Sequence, residues 1–125
     1  MHIFVYGTLR RGERAYETFN LANTTNFVRT TAIKGTMFSL GGFPGVVCEG
    51  EGTVVGDLLE LHDATAMAVL RALDGYEGVP HLYTRETVKT ACGVDTAVYV
   101  YAGRHRYRQE DVIPNGDWIN PGKAA

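Results

Sequence analysis

Apolar residues fall in short clusters along this chain, and the spacing within each cluster predicts its local structure. Ile3 to Tyr6 is a short β-favouring run that Gly7 ends, so a strand is expected there. From Glu13 to Ala22 the spacing is helical only in part. Ala15, Phe19 and Ala22 would share one helix face, whereas Tyr16 and Leu21 fall off it. Phe27 to Leu40, rich in Thr, Val, Ile and Phe, predicts one or two strands. Glycines and a proline cluster in Gly41-Gly42-Phe43-Pro44-Gly45, which predicts a turn or loop.

Thr53 to Leu61 reads as another strand. Asp63 is placed to cap a helix over Ala64 to Leu73, whose Ala, Met and Leu content favours that state. Gly75 is expected to stop this helix and leave Glu77 in the connection beyond it. Leu82 to Thr90 and Val94 to Tyr101 are two further β segments, with Ala91-Cys92-Gly93 able to close them as a hairpin. From Gly103 onward the chain is polar and loop-like. Strands outnumber helices without alternating regularly with them. The expected fold class is α+β: a small mixed sheet curled into a β-barrel and flanked by about two helices, in a single domain spanning 1–125.

Composition narrows the function. With 125 residues, 45% hydrophobic and 21% charged, the chain can bury its own core. The formal net charge of −2 lacks the basic excess of a nucleic-acid face. Arg104-His105-Arg106-Tyr107-Arg108 is a local exception. Glu110 and Asp111 follow it, and it reads as a solvated loop rather than a phosphate-binding patch. Cys48 and Cys92 have no metal-site spacing, and no signal peptide or membrane-length apolar run is evident. A cytoplasmic protein with free thiols is expected, with no membrane association and no obligate protein partner.

Two distant segments carry candidate chemistry. Val5-Tyr6-Gly7-Thr8-Leu9-Arg10-Arg11-Gly12 supplies a glycine-bearing turn after a strand. A phosphate loop is excluded, because Glu13-Arg14 stands where Lys and then Ser or Thr are needed. The turn can still offer backbone N–H groups to a carboxylate or a developing oxyanion. The plainer reading is a glycine required by a tight turn. The second segment, Leu73 to Arg85, holds Asp74 and Glu77. Asp74 reads as a helix-terminal residue held by local hydrogen bonds, and Glu77 is the freer carboxylate. Tyr76, Val79, Pro80 and Tyr83 are placed to wall Glu77 from water, which would raise its pKa toward that of a useful base.

Other candidates are weaker. His2, His62, His81 and His105 show no ligand spacing, and Ser39 lacks a nucleophile-elbow context. A Cys–His pair is possible on paper only. Tyr99 and Tyr101 share a strand face, as core or as pocket lining, and Trp118 reads as a lid or packing residue.

Taken in order, Tyr6-Gly7-Thr8-Leu9 with Arg11-Gly12, Gly42-Phe43-Pro44-Gly45, Leu73-Asp74-Gly75-Tyr76-Glu77, Leu82-Tyr83-Thr84-Arg85 and Gly116-Asp117-Trp118 resemble the γ-glutamylcyclotransferase-like superfamily. The likeness is greatest to its short members of the γ-glutamylamine cyclotransferase type, and it spans nearly the whole chain. It implies a small mixed β-barrel flanked by helices. It also implies cleavage of a γ-glutamyl amide by intramolecular attack, giving 5-oxoproline and a free amine, with no cofactor and no metal.

Carried over, the resemblance makes Glu77 the catalytic acid/base and has Tyr6, Gly7, Thr8 and Leu9 hold the γ-glutamyl head group through backbone groups. Tyr83 and Tyr101 are secondary pocket candidates, and Arg85 is a structural ion-pair partner. The loops over 41–52 and 103–117 are expected to shape the amine half of the substrate. Two alternatives stand beside this reading. One is a non-catalytic small-molecule-binding or regulatory protein on the same fold; the other is a related enzyme with a specialised leaving amine.

Overall fold

The first strand is the centre of the molecule. In the structure, a computed structural model that describes residues 1–103 and 107–120, β1 (His2–Val5) lies between β5 (Thr53–Leu61) and β7 (Asp95–Tyr101). It pairs with β5 antiparallel, Ile3 opposite Leu59, and with β7 parallel, Ile3 opposite Ala97. Outside these lie β2 (Thr25–Lys34), antiparallel to β5, and β6 (Tyr83–Lys89), antiparallel to β7. The order is β2-β5-β1-β7-β6, and a separate ribbon pairs β3 (Thr36–Ser39) with β4 (Pro44–Val47).

Alternation along β1 divides the core. Ile3 and Val5 point to one face, where Val69, Leu70 and Leu73 of helix α3 (Ala66–Glu77) cover them. Phe4 points to the other face, among Met37, Val46, Val54 and Val98. Leu70 and Leu73 are fully buried, and each contributes about 1.5–3 kcal/mol. That burial fixes the C-terminal half of α3 against the sheet.

The mixed sheet and its helices agree with the expected α+β class, but the barrel is not closed. Among the described residues no ladder joins the outer strands β2 and β6. The curl brings them together at one corner, where the Ala91 N–H of the β6–β7 turn donates to the Ala32 carbonyl at 2.8 Å.

Local departures from the sequence reading have identifiable causes. The helix expected over 13–22 is two short ones, α1 (Arg14–Thr18) and α2 (Leu21–Thr24), broken at Asn20 in the left-handed region (φ 56°). The break lets Tyr16 and Leu21 be buried, although both fall off a single helix face. Pro44 and Gly45, expected in a loop, form β4. Gly45 faces Phe38 across the ribbon, and a Cβ there would lie 2.7 Å from the phenyl ring. This glycine makes room for a ring rather than for a turn.

Helix α3 does not stop at Gly75. It runs on to Glu77 and ends at Gly78 (φ 68°), where Gly78 N–H bonds to Gly75 and Val79 N–H to Asp74. These paired bonds with a left-handed glycine are a Schellman ending. Carrying Gly75 inside the helix costs about 1 kcal/mol relative to alanine, less than burying Leu73 contributes. The N-cap is Thr65 rather than Asp63, without a side-chain capping bond. Gly93 (φ 86°) closes the β6–β7 hairpin as expected.

The segment after 103 is not wholly loop. It contains a 3-10 turn (Gln109–Asp111) and a bridge from Val112 to Phe38. Residues 104–106 of the basic run lie outside the described residues, while Arg108 is exposed and paired with Glu110 and Asp111. Both cysteines are free, and no helix among the described residues is long and apolar enough to cross a membrane.

Candidate active site

The turn after β1 is held from behind. The Gly7 carbonyl accepts from Arg10 N–H at 3.1 Å, and the Thr8 carbonyl accepts from Ala15 N–H at 3.1 Å, at the start of α1. The carbonyls are thus spent on the turn itself. By contrast, the N–H groups of Gly7, Thr8 and Leu9 meet no acceptor among the described residues. The φ of Gly7 is not positive. A Cβ at Gly7 would lie 3.1 Å from Pro44 Cγ, so close packing against β4, rather than a strained turn, is what asks for glycine.

Beneath the turn is a charged latch that sequence reasoning missed. Asp57, buried in β5, accepts from Arg11 N–H at 3.0 Å and from the Thr30 hydroxyl at 2.9 Å. Arg10 lies 3.4 Å from Asp57 and donates to Asp117 at 3.0 Å. Asp117 also accepts from the Ile119 and Asn120 N–H groups. The Gly116-Asp117-Trp118 segment therefore has a structural part: Asp117 clamps Arg10, and Trp118 packs on the second core cluster. Gly116 (φ 64°) passes so close to β5 that a Cβ would collide with the Thr53 carbonyl. Asp57 looks in the sequence like a polar interruption of an apolar strand, and only its burial marks it out.

The facing wall is α3 with β6 and β7. Tyr6, Tyr83 and Tyr99 are buried, and each hydroxyl donates to a fixed acceptor: Tyr6 to the Tyr99 carbonyl (2.5 Å), Tyr83 to the Pro44 carbonyl (2.5 Å), Tyr99 to Asp74 (2.8 Å). Desolvation pushes all three phenols above their ordinary range, with smaller pushes from the nearby Glu77 charge and, at Tyr99, first from the Asp74 carboxylate it donates to. They stay protonated, their protons committed, with oxygen lone pairs left to accept.

Asp74 also takes Arg85 Nε at 2.8 Å, so the ion-pair role expected of Arg85 is observed. Glu77, one turn on, has no hydrogen-bond or ion-pair partner among the described residues. Burial alone raises its pKa to about 7.

These walls enclose a cavity of about 390 Å³. Tyr6, Gly7, Thr8, Leu9 and Glu77 all line it, as do Tyr83 and Tyr99. Tyr101 does not; it packs edge-on against Phe38 and Tyr83. Of the residues expected to wall Glu77, Tyr76 and Tyr83 reach the cavity. Val79 packs into the core, and Pro80 is exposed. Phe43, Pro44 and Leu82 complete the mouth. Among the described residues no group of three or more His, Cys, Asp or Glu side chains could hold a metal ion.

The geometry has recognisable relatives. A protein of Vibrio cholerae serotype O1, provisionally named a γ-glutamylcyclotransferase, is 34% identical over 116 residues, 93% of each chain. The solution structure of Escherichia coli YtfP superposes with a TM-score of 0.64 at 30% identity, covering 96% of this chain and 97% of that one. A mouse AIG2-like protein superposes with a TM-score of 0.65 at 23% identity, covering 99% and 97%, which shows a shared fold. The model of the family "Gamma-glutamyl cyclotransferase, AIG2-like" matches residues 3–120. The resemblance read from the five sequence segments is thereby established, and the chain belongs to the γ-glutamyl cyclotransferase, AIG2-like family.

Proposed function

We propose that the protein cleaves a γ-glutamyl amide by attack of the substrate's own α-amine on its γ-carbonyl, releasing 5-oxoproline and a free amine, with Glu77 as the general acid/base. The observation that carries this reading is one carboxylate without a partner among the described residues, with a pKa raised to about 7, lining the same cavity as Gly7, Thr8 and Leu9, whose backbone N–H groups meet no acceptor among those residues.

A γ-glutamyl head group presents an α-carboxylate, an α-ammonium and a carbonyl that becomes an oxyanion. The N–H groups of Gly7 to Leu9 suit the negative groups. The acceptors, Glu77 and the phenolic oxygens, suit the ammonium. Glu77 takes one proton from the α-ammonium. The freed nitrogen forms a bond to the γ-carbon and the carbonyl becomes an oxyanion. As that oxyanion collapses and the bond to the leaving nitrogen breaks, Glu77 returns its proton to the leaving amine, and the second proton, which the ring nitrogen sheds on becoming the lactam N–H, goes to the released amine to give its ammonium. Nucleophile and electrophile belong to one molecule, so rate comes from folding the substrate into an attacking shape.

The test is 5-oxoproline release from a panel of γ-glutamyl compounds. Glu77→Gln is expected to lose about 10²–10⁴-fold in kcat. Equal release by both proteins would remove Glu77 from its role, and binding without release would favour a small-molecule-binding protein on the same fold.

A further inference from the structure

The mouth of the cavity differs from its depth. Tyr6, Tyr83 and Tyr99 at depth are each under 10% exposed, whereas Phe43, Tyr76 and Leu82 at the mouth are 41%, 50% and 36% exposed. These three come from different parts of the chain: the β3–β4 loop, the last turn of α3 and the connection from α3 to β6.

Each is fixed. The Phe43 carbonyl accepts from Leu40 N–H at 2.8 Å. Leu82 is tied through its N–H to Gly78 and through its carbonyl to Ala102 N–H. The Tyr76 hydroxyl meets Thr8 Oγ1 at 3.1 Å, and its ring sits edge-on to Phe19 at 5.0 Å. Large apolar side chains held open to water around one opening mark a surface that a ligand covers. Among the described residues lining the cavity, Glu77 is the sole acid or base of the Asp, Glu, Lys, Arg and His set.

We infer that Phe43, Tyr76 and Leu82 form the subsite for the amine half of the substrate, and that it takes uncharged apolar or aromatic amines in preference to amino acids or peptides. The inference rests on the proposed reaction, which seats the γ-glutamyl head against the Gly7 turn and sends the amine half outward. An alkyl or aryl chain there removes its own surface and the three side chains from water. A carboxylate there meets an apolar rim, loses its hydration, and lies on the same side as Glu77.

Two substrates that differ only by a carboxylate isolate the effect: γ-glutamylphenethylamide and γ-glutamylphenylalanine. The amide is expected to have a kcat/KM at least about tenfold higher, equivalent to ~1.4 kcal/mol. The preference for γ-glutamylphenethylamide over γ-glutamylethylamide should fall about tenfold in the Phe43→Ala, Leu82→Ala double variant, with folding checked by circular dichroism. A ratio near one, a preference for the amino acid, or a ring preference untouched by the double variant would overturn the subsite.

Calorimetric binding of the same ligands to Glu77→Gln separates this inference from the reaction it rests on. Tighter binding of the phenethylamide without release by wild type would leave the rim assignment standing and sink the catalytic one. Release with no discrimination would do the reverse, and neither binding nor release would overturn both.

Discussion

Asp57 beneath the Gly7 turn and Glu77 across the cavity are carboxylates withdrawn from water, and the fold treats them in opposite ways. Asp57 is met by Arg10, by the Thr30 hydroxyl and by the Arg11 N–H. Glu77 has no hydrogen-bond or ion-pair partner among the described residues, although Asp74, three residues earlier on the same helix, collects both Arg85 and Tyr99. A carboxylate with donors around it holds structure in place. One left without donors has its pKa raised toward neutral pH, which is what the proposed acid/base role asks of it. Partner supply, not residue type, separates the two roles.

The sharpest way to break that contrast is to remove Asp57. Asp57→Ala leaves the largely buried Arg10 guanidinium with Asp117 alone and takes the acceptor from the Arg11 N–H, for an expected loss of about 3 kcal/mol in urea unfolding. A loss below ~0.5 kcal/mol would mean the latch is ornamental.

Next in size is a gain. The Glu77 pKa is raised on folding, so between the ordinary glutamate value and about 7 the native state binds more protons than the unfolded chain. Its contribution to stability therefore falls as pH rises through that window, and the full penalty is present above pH 7. Glu77→Gln should then be more stable than wild type by roughly 1–3 kcal/mol at pH 8, with the difference vanishing near pH 4. A pH-independent difference would contradict a desolvated carboxylate.

Under the proposed reaction, the same group is expected to give kcat/KM a limb that rises with pH and bends near 7, about tenfold per unit below it. An acid limb bending near 4 instead would point to a solvated base. The smallest effect belongs to Tyr76→Phe. The contact of its hydroxyl with Thr8 is exposed, so stability should change by less than about 1 kcal/mol.

Much of this was legible in the sequence. Strands at β1, β5, β6 and β7 follow from apolar β-favouring runs, and the turn of β6 into β7 from Gly93. What was misread has a common cause. Gly75 looks like a helix stop by propensity, but burial of Leu73 and the Gly78 ending carry α3 past it. Pro44 and Gly45 look like a loop by composition, but Phe38 across the ribbon needs that glycine. In each case a contact outside the local segment outweighed the local preference.

The sequence by itself determined the ingredients: a strand ending in a glycine turn, a helix leading to Asp74 with Glu77 close behind it, and ordered segments sufficient to identify the family; that the helix runs on to carry Glu77 came from the structure. The tertiary structure decided which carboxylate is satisfied and which is left bare. Arg10 and Asp57 are 47 residues apart, Thr30 and Asp57 are 27 apart, and Arg10 and Asp117 are 107 apart. A pKa depends on such neighbours and on burial, and neither exists until the chain has folded.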